Sequence, residues 1–421
     1  MIKARNLFVI FCTAFVGCAS AGRATTAQND PAPQVSAKNP RKSFSERWSR
    51  RFDGFITDLN VSKNGRRILM ATAPDRESGT GSRRYQMILL DRTGRTLRKE
   101  ILKSPIRTQA ISDDGKLLVL SNYENQLIGI STSGARRWSR WSTEAMCKPI
   151  PLNRSKKILC YHDEDADSDV AFEVFGWNGK KILSFPIGTM GAAEQVPDVL
   201  ALKVSEDERN VAMALTRGQL ILIGPDFHSR WRKKLEGEIQ DVSVSSGPEP
   251  KVAVIFLTRG PNPIQKIAVF DAAGRLAGER TAGSPGTAPA KGPARALFEQ
   301  IEITPSGNSV LTYGNTAEGQ YVNSYRVTNL EEGWRERADS AAEYSSVMQV
   351  FEDHVAIAFD TQSAVRNSHL RLYRHDGELD WEIPLDTKQG AYLAAFRFVP
   401  VSRALFIALD DGRLSAVRLK D

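Results

Sequence analysis

The chain has 421 residues, a formal net charge of +8, 41% hydrophobic residues and 25% charged residues. That hydrophobic share is enough for a core and that charged share is typical of a soluble surface, so a disordered chain is excluded. The positive excess suits anionic partners such as phospholipid headgroups, glycans or acidic proteins, and serves plain solubility equally well.

The chain opens with Lys3 and Arg5 followed by the apolar run NLFVIFCTAFVG, which has the charge and length of an export signal and is too short for a permanent membrane span. The protein is therefore expected to leave the cytoplasm, which disfavours nucleic acid as a partner. Residues 15–19 (FVGCA) resemble a bacterial lipobox, in which Cys18 would be lipidated and become the mature N-terminus. Ala19-Ser20-Ala21 is also an acceptable site for ordinary signal cleavage. The sequence thus allows an outer-membrane lipoprotein facing the periplasm, or a soluble periplasmic or secreted protein. Segment 1–21 is assigned to the signal. Segment 22–43, rich in Ala, Pro, Asn, Gln and Thr without apolar periodicity, reads as a disordered tether.

Folded sequence is expected over 44–421. Its reference unit is 109–139, QAISDDGKLLVLSNYENQLIGISTSGARRWS. Four short β-rich runs are joined there by turns rich in Asp, Asn, Gly and Ser, the pattern of a four-stranded antiparallel meander. Variants of this unit recur at about 55–101, 145–187, 195–236, 238–281, 297–337 and 345–385. Residues 44–52 look like a fourth run, whereas 392–419 hold three runs and then the chain ends. The N-terminal strand is expected to complete that last sheet and close the ring. The fourth-run tryptophans Trp48, Trp138, Trp231, Trp334 and Trp381 are spaced by 90, 93, 103 and 47 residues, near multiples of a repeat of roughly 47. Leu97, Leu183 and Leu276 are expected to take the Trp place in the other units. The expectation is an all-β fold: a single eight-bladed β-propeller of four-stranded antiparallel blades, interrupted at 281–295 by a Gly/Pro/Ala-rich loop.

GARRW at 134–138 and GELDW at 377–381 resemble the G-x-x-x-W part of the tryptophan-docking motif of quinoprotein-like (PQQ-like) eight-bladed propellers. Runs such as ISDDGKLLVL are equally similar to WD40-like propellers. Exported, lipidated members of such families scaffold β-barrel insertion at the outer membrane, so envelope assembly is one role the resemblance implies. Quinoprotein dehydrogenases carry a vicinal Cys-Cys pair, and this chain has none, which speaks against a bound quinone.

No catalytic triad, nucleophile elbow or Walker loop is present in the sequence, so no catalytic residue is assigned. His162, His228, His354, His369 and His375 fall on different units without metal-ligand spacing and are expected on turns or strand ends. The dense carboxylate run Asp163, Asp165, Asp167 and Asp169 allows two readings. One is a calcium loop, although Ser168 and Val174 stand where glycine and a bidentate Glu are needed; the other is a solvated hairpin tip. Apart from that calcium reading no cofactor is expected. Cys147 and Cys160 flank the first turn of the third unit with a parity that can place both on one face. They are read as a disulfide or as small buried residues. Basic clusters such as Arg50-Arg51 and Arg230-Trp231-Arg232-Lys233-Lys234 fall on outer strands, where charge discourages edge pairing. The expected function is a non-catalytic extracytoplasmic scaffold holding an envelope protein partner, anchored to the membrane by lipid if Cys18 is modified, and monomeric. The alternative is a propeller enzyme or ligand sensor using the central channel.

Overall fold

The computed structural model describes residues 42–74, 84–124, 126–133, 136–141, 147–162, 170–186, 197–261, 263–281, 298–316, 319–338, 348–359, 369–385 and 391–420. Among the described residues thirty-two strands form eight four-stranded antiparallel sheets, arranged as the blades of a ring. Blade 1 comprises Phe55–Val61, Arg67–Ala73, Tyr85–Asp91 and Thr96–Leu102. Blades 2 to 7 follow in chain order within 106–141, 147–186, 199–234, 237–281, 300–338 and 348–384. Blade 8 takes three strands from Leu393–Val399, Ala404–Leu409 and Arg413–Leu419, and its fourth from Phe44–Arg51. Trp48 lies opposite Ala416 and Phe44 opposite Leu419, so the two ends of the chain are zipped into one sheet as the sequence predicts.

In blades 1, 2, 4, 5 and 6 the first turn is closed by its own Ser or Thr hydroxyl. The Ser62 hydroxyl accepts from the Arg67 N–H at 3.0 Å and donates to Asn64 Oδ1 at 2.8 Å. Ser112 repeats this with Leu117 and Asp114, and Ser205 with Asn210 and Asp207. These bonds hold the tight turn and set the register of the hairpin behind it.

No blade owns a core. Each hydrophobic cluster lies between two neighbouring blades, as where Leu69, Met87 and Leu89 of blade 1 meet Leu118, Leu120 and Ile130 of blade 2. Second and third strands are buried on both faces and read as continuous apolar runs such as VAMAL and QLILI, whereas fourth strands such as SRWRKK alternate between exposed and half-buried. Blades are therefore stable only as neighbours, which makes ring closure a condition of folding. Among the described residues no helix is long and apolar enough to cross a membrane.

Candidate binding site

The first strand of each blade lines the axis, and polar groups on it and on the turn that follows it stitch the blades together. Asn60 Nδ2 donates to the Gln109 carbonyl at 3.0 Å across blades 1 and 2. The Asp113 N–H reaches Asn153 Oδ1 at 2.6 Å, and Glu208 accepts from the Asn153 and Arg154 N–H groups at 2.7 and 2.8 Å. Asp207 accepts from Gly247 at 2.9 Å, and Asp241 accepts from the Ile301 N–H at 2.9 Å. Gln300 donates to the Met348 carbonyl at 3.1 Å and Gln349 to that of Phe396 at 2.9 Å. Asp58 of blade 1 faces Arg397 of blade 8. Each junction around the ring thus carries a polar contact near the axis, where an unsatisfied group would be costly.

Two ion pairs go further and link blades that are not neighbours. Lys203 of blade 4 meets Glu302 of blade 6 at 2.7 Å, and Ser243 donates to the other Glu302 oxygen at 2.9 Å. Lys63 of blade 1 meets Glu206 of blade 4 at 3.0 Å across one mouth of the channel. Burial pushes Asp241 up to about 6, against the attraction of Lys203. Burial works against the Lys203 ammonium, but Glu302 and Asp241 outweigh it and raise its pKa. Burial likewise raises Asp58 and lowers Arg397. The axis therefore holds convergent charged groups that are largely engaged with one another, and Asp241 can exchange a proton in the mildly acidic range.

The outer seams follow a size rule that links the fourth strand of one blade to the last turn of the next. The Trp138 indole donates to the Trp177 carbonyl at 2.8 Å and covers Gly179, where an added Cβ would stand 2.5 Å from the ring. Trp48 covers Gly94, Trp231 covers Gly274 and Trp334 covers Gly377 in the same way. Where the Trp is missing, the pairing inverts. Gly278 of blade 5 faces Leu330 of blade 6, and Leu183 of blade 3 packs in the cluster that holds Phe227 of blade 4. Leu330 and Phe227 occupy the turn position that is glycine elsewhere, with φ of +51° and +62°. That left-handed backbone is a strained conformation for a bulky residue, offset here by burying the side chain in the seam.

At the seam of blades 7 and 8 the chain ends replace the turn. Trp381 donates to the Lys420 carbonyl at 3.0 Å, Lys420 N–H to the Ser43 carbonyl at 2.9 Å, and Lys42 N–H to the Asp380 carbonyl at 3.0 Å. Lys42 Nζ lies 2.9 Å from Asp380, 4.4 Å from the centre of the Trp381 ring, and His354 Nε2 lies 3.0 Å from the same carboxylate. Burial works against the Asp380 charge, but the bonds from Lys42 and His354 outweigh it and hold the carboxyl below the usual range.

The seam of blades 1 and 2 is the exception. The position equivalent to Trp138 is Arg98, which turns along the strand to pair with Glu100. A cavity of about 450 Å³ remains there, walled by Leu102, Ile106, Leu120, Ile128 and Ile130.

The residues singled out from the sequence fall as follows. Cys147 and Cys160 sit on the first two strands of blade 3, offset diagonally, with Cα atoms 5.3 Å apart and both facing Trp138. Cys18 and the run Asp163, Asp165, Asp167 and Asp169 lie outside the described residues, as does all but Thr281 of the expected 281–295 loop. All five histidines lie on turns or strand ends. Leu183 takes the Trp place as expected, but Leu97 and Leu276 do not. A bulge early in each fourth strand shifts the register by one, so Leu97 and Leu276 are exposed and Arg98 and Gly278 occupy the Trp-equivalent sites. Sequence reading missed Phe227, Leu330, Arg98 and Gly278; counting four residues from each turn position, as in G-x-x-x-W, would have found them.

No protein-family model matches the chain, and no curated protein does. Solved structures do. BamB from Moraxella catarrhalis is 12% identical, with 89% of this chain covering 100% of that one at a TM-score of 0.56. Sqt1 from Chaetomium thermophilum is 10% identical, with 89% covering 99% at 0.61. The same Sqt1 bound to the N-terminus of ribosomal protein L10 is 12% identical, with 87% covering 98% at 0.60. At such identities the likeness establishes the propeller fold, in agreement with the resemblance read from the sequence.

Proposed function

We propose that the chain is an exported, non-catalytic binding scaffold that holds a protein partner in the cell envelope, tethered through residues 22–43 to a lipid on Cys18. The observation that carries this reading is how the molecule distributes its groups. Axial polar side chains are engaged with one another from blade to blade, while unpaired strand edges and apolar side chains such as Ile101 remain on the outside. A propeller of similar architecture, Sqt1, is known bound to a protein N-terminus, which supports peptide holding as a use of this shape. The N-terminal n-region, apolar run and Cys18 support export and anchoring. In an oxidising compartment the 5.3 Å separation supports a Cys147–Cys160 disulfide, within the usual Cα range of about 4.4–6.8 Å. The run from Asp163 to Asp169 keeps its calcium reading as a proposal, with the hairpin tip as its alternative. The test is co-purification from membranes of wild type and Cys18→Ala, read by mass spectrometry. One stoichiometric envelope partner, with loss of membrane association in Cys18→Ala, is expected; a clean wild-type preparation with no partner would sink the reading.

A second reading, a ligand sensor in the channel, is favoured by the Lys203, Glu302 and Asp241 cluster alone. It requires a ligand whose binding shifts the Asp241 titration, and a ligand-insensitive titration would remove it.

A further inference from the structure

We propose that the axial cluster joining blades 4, 5 and 6 is a proton-operated clasp. At neutral pH it sets two carboxylates, Asp241 and Glu302, against one ammonium, Lys203; on mild acidification Asp241 takes up a proton and the joint tightens. The clasp lies wholly on inner strands and needs no partner or ligand, so its failure would leave the scaffold reading standing.

The three charges are brought together by consecutive first strands. Lys203 lies on Val199–Val204, Asp241 on Gly237–Val244 and Glu302 on Gln300–Ile303. Glu302 is gripped on both oxygens. One is 2.7 Å from Lys203 Nζ and the other 2.9 Å from the Ser243 hydroxyl, which itself accepts from the Ile303 N–H at 3.0 Å. Lys203 thus reaches past blade 5 to blade 6. Asp241, two residues before Ser243, is held by backbone N–H groups, those of Ile301 at 2.9 Å and of Val242, while the ammonium sits on Glu302. Two carboxylates therefore share one cation in a site flanked by protein, where the second negative charge is the costly one.

The surroundings keep that balance. From blade 3, Tyr161 acts on Lys203 and carries Lys148 over its ring at 5.6 Å. Glu238 and Glu299 are exposed at the strand ends, and Arg397 of blade 8 answers Asp58 of blade 1. The strand paired with that of Asp241, Val252–Thr258, brings no charge. Lys203 and Glu302 keep 37% and 19% of their side chains in contact with solvent, so protons can reach the cluster. Burial pushes Asp241 up to about 6 against the attraction of Lys203, and Glu302 adds to the rise. Because this lies above the unfolded value of about 3.9, the proton contributes stability that is fully present below that value and is lost as pH rises through about 6. The clasp is firmest in acid, the reverse of the depressed Asp380 at the chain ends.

The test compares melting of the full chain, wild type against Asp241→Asn, from pH 8 to 4. The amide keeps an acceptor for the Ile301 N–H and removes the charge. Asp241→Asn is expected to melt about 3 °C above wild type at pH 8, with the gap shrinking between about pH 6 and 4. Infrared difference spectra between pH 7.5 and 5 read the proton itself: wild type gains a protonated-carboxyl band that Asp241→Asn lacks. Glu302→Gln is expected to move the midpoint of that band to lower pH and Lys203→Met to higher pH, by about one unit each. Glu302→Gln alone decides this point if Lys203→Met does not fold. Identical infrared bands in wild type and Asp241→Asn, or a melting gap that stays constant with pH, overturn the proposal. A midpoint unmoved by Glu302→Gln shows that the groups do not act together and overturns it as well.

Discussion

The seam between blades 2 and 3 and the seam between blades 1 and 2 share one backbone plan and end differently. In the first, Trp138 lies over Gly179 and is hydrogen-bonded to the turn beyond it. In the second, Arg98 occupies the same register and leaves a cavity. The ring therefore does not depend on any single filler: most outer seams are filled by a Trp over a glycine or by a large turn residue such as Leu330 over Gly278, and this one is not. Even so, the ring still closes through its inner hydrogen bonds and the Leu69 to Leu120 cluster, and the outer surface acquires a groove.

The comparison breaks most severely at its filled end. Trp138→Ala should lower stability by about 3–5 kcal/mol in urea unfolding, the usual cost of emptying a buried aromatic site. Gly179→Val should be comparably damaging, since φ is +78° and the new Cβ meets the ring. An effect near zero would mean the Trp seam is no tighter than the open one. The same seam contains Cys147 and Cys160, and reduction should cost about 3 kcal/mol if they are bonded, as expected for a loop of this length. An unchanged midpoint with and without reductant would show free thiols.

At the chain-end seam, Asp380→Ala should cost about 3 kcal/mol by leaving Lys42 and His354 without their shared acceptor. Because the folded Asp380 pKa is depressed, its contribution is fully present above the unfolded value of about 3.9 and fades as pH falls through the folded value. Melting of wild type against Asp380→Asn from pH 7 to 2 should therefore converge at the acid end.

The inverted seam sharpens the rule. Gly278→Trp and Leu330→Gly should each destabilise, while the double variant restores the Trp and Gly order, with a favourable coupling of about 1–3 kcal/mol in a double-mutant cycle. Strict additivity would refute size complementarity across this seam. The smallest effect is expected where space is already free: Arg98→Trp should raise stability by about 1 kcal/mol, as cavity filling commonly does, read as a higher melting temperature.

Much of the architecture was legible from local residues. Ser62, Ser112 and Ser205 announce the first turns, the spacing of five tryptophans counts the blades, and the fourth-run look of 44–52 predicts its pairing with Arg413–Leu419. The site was less legible. Leu97 and Leu276 looked like fillers, because one bulge residue in an edge strand moves every following side chain to the other face and leaves no mark in the sequence.

Turn chemistry and β periodicity act within a few residues, so the sequence by itself determined the number of strands, the blade count and the closure by the N-terminal strand. Which seam is filled, which is inverted and which stands open was decided only by the tertiary structure. There Trp138 meets Gly179, Gly278 meets Leu330 and Lys42 meets Asp380 across long stretches of chain, and a packing sum exists only when both partners are in place.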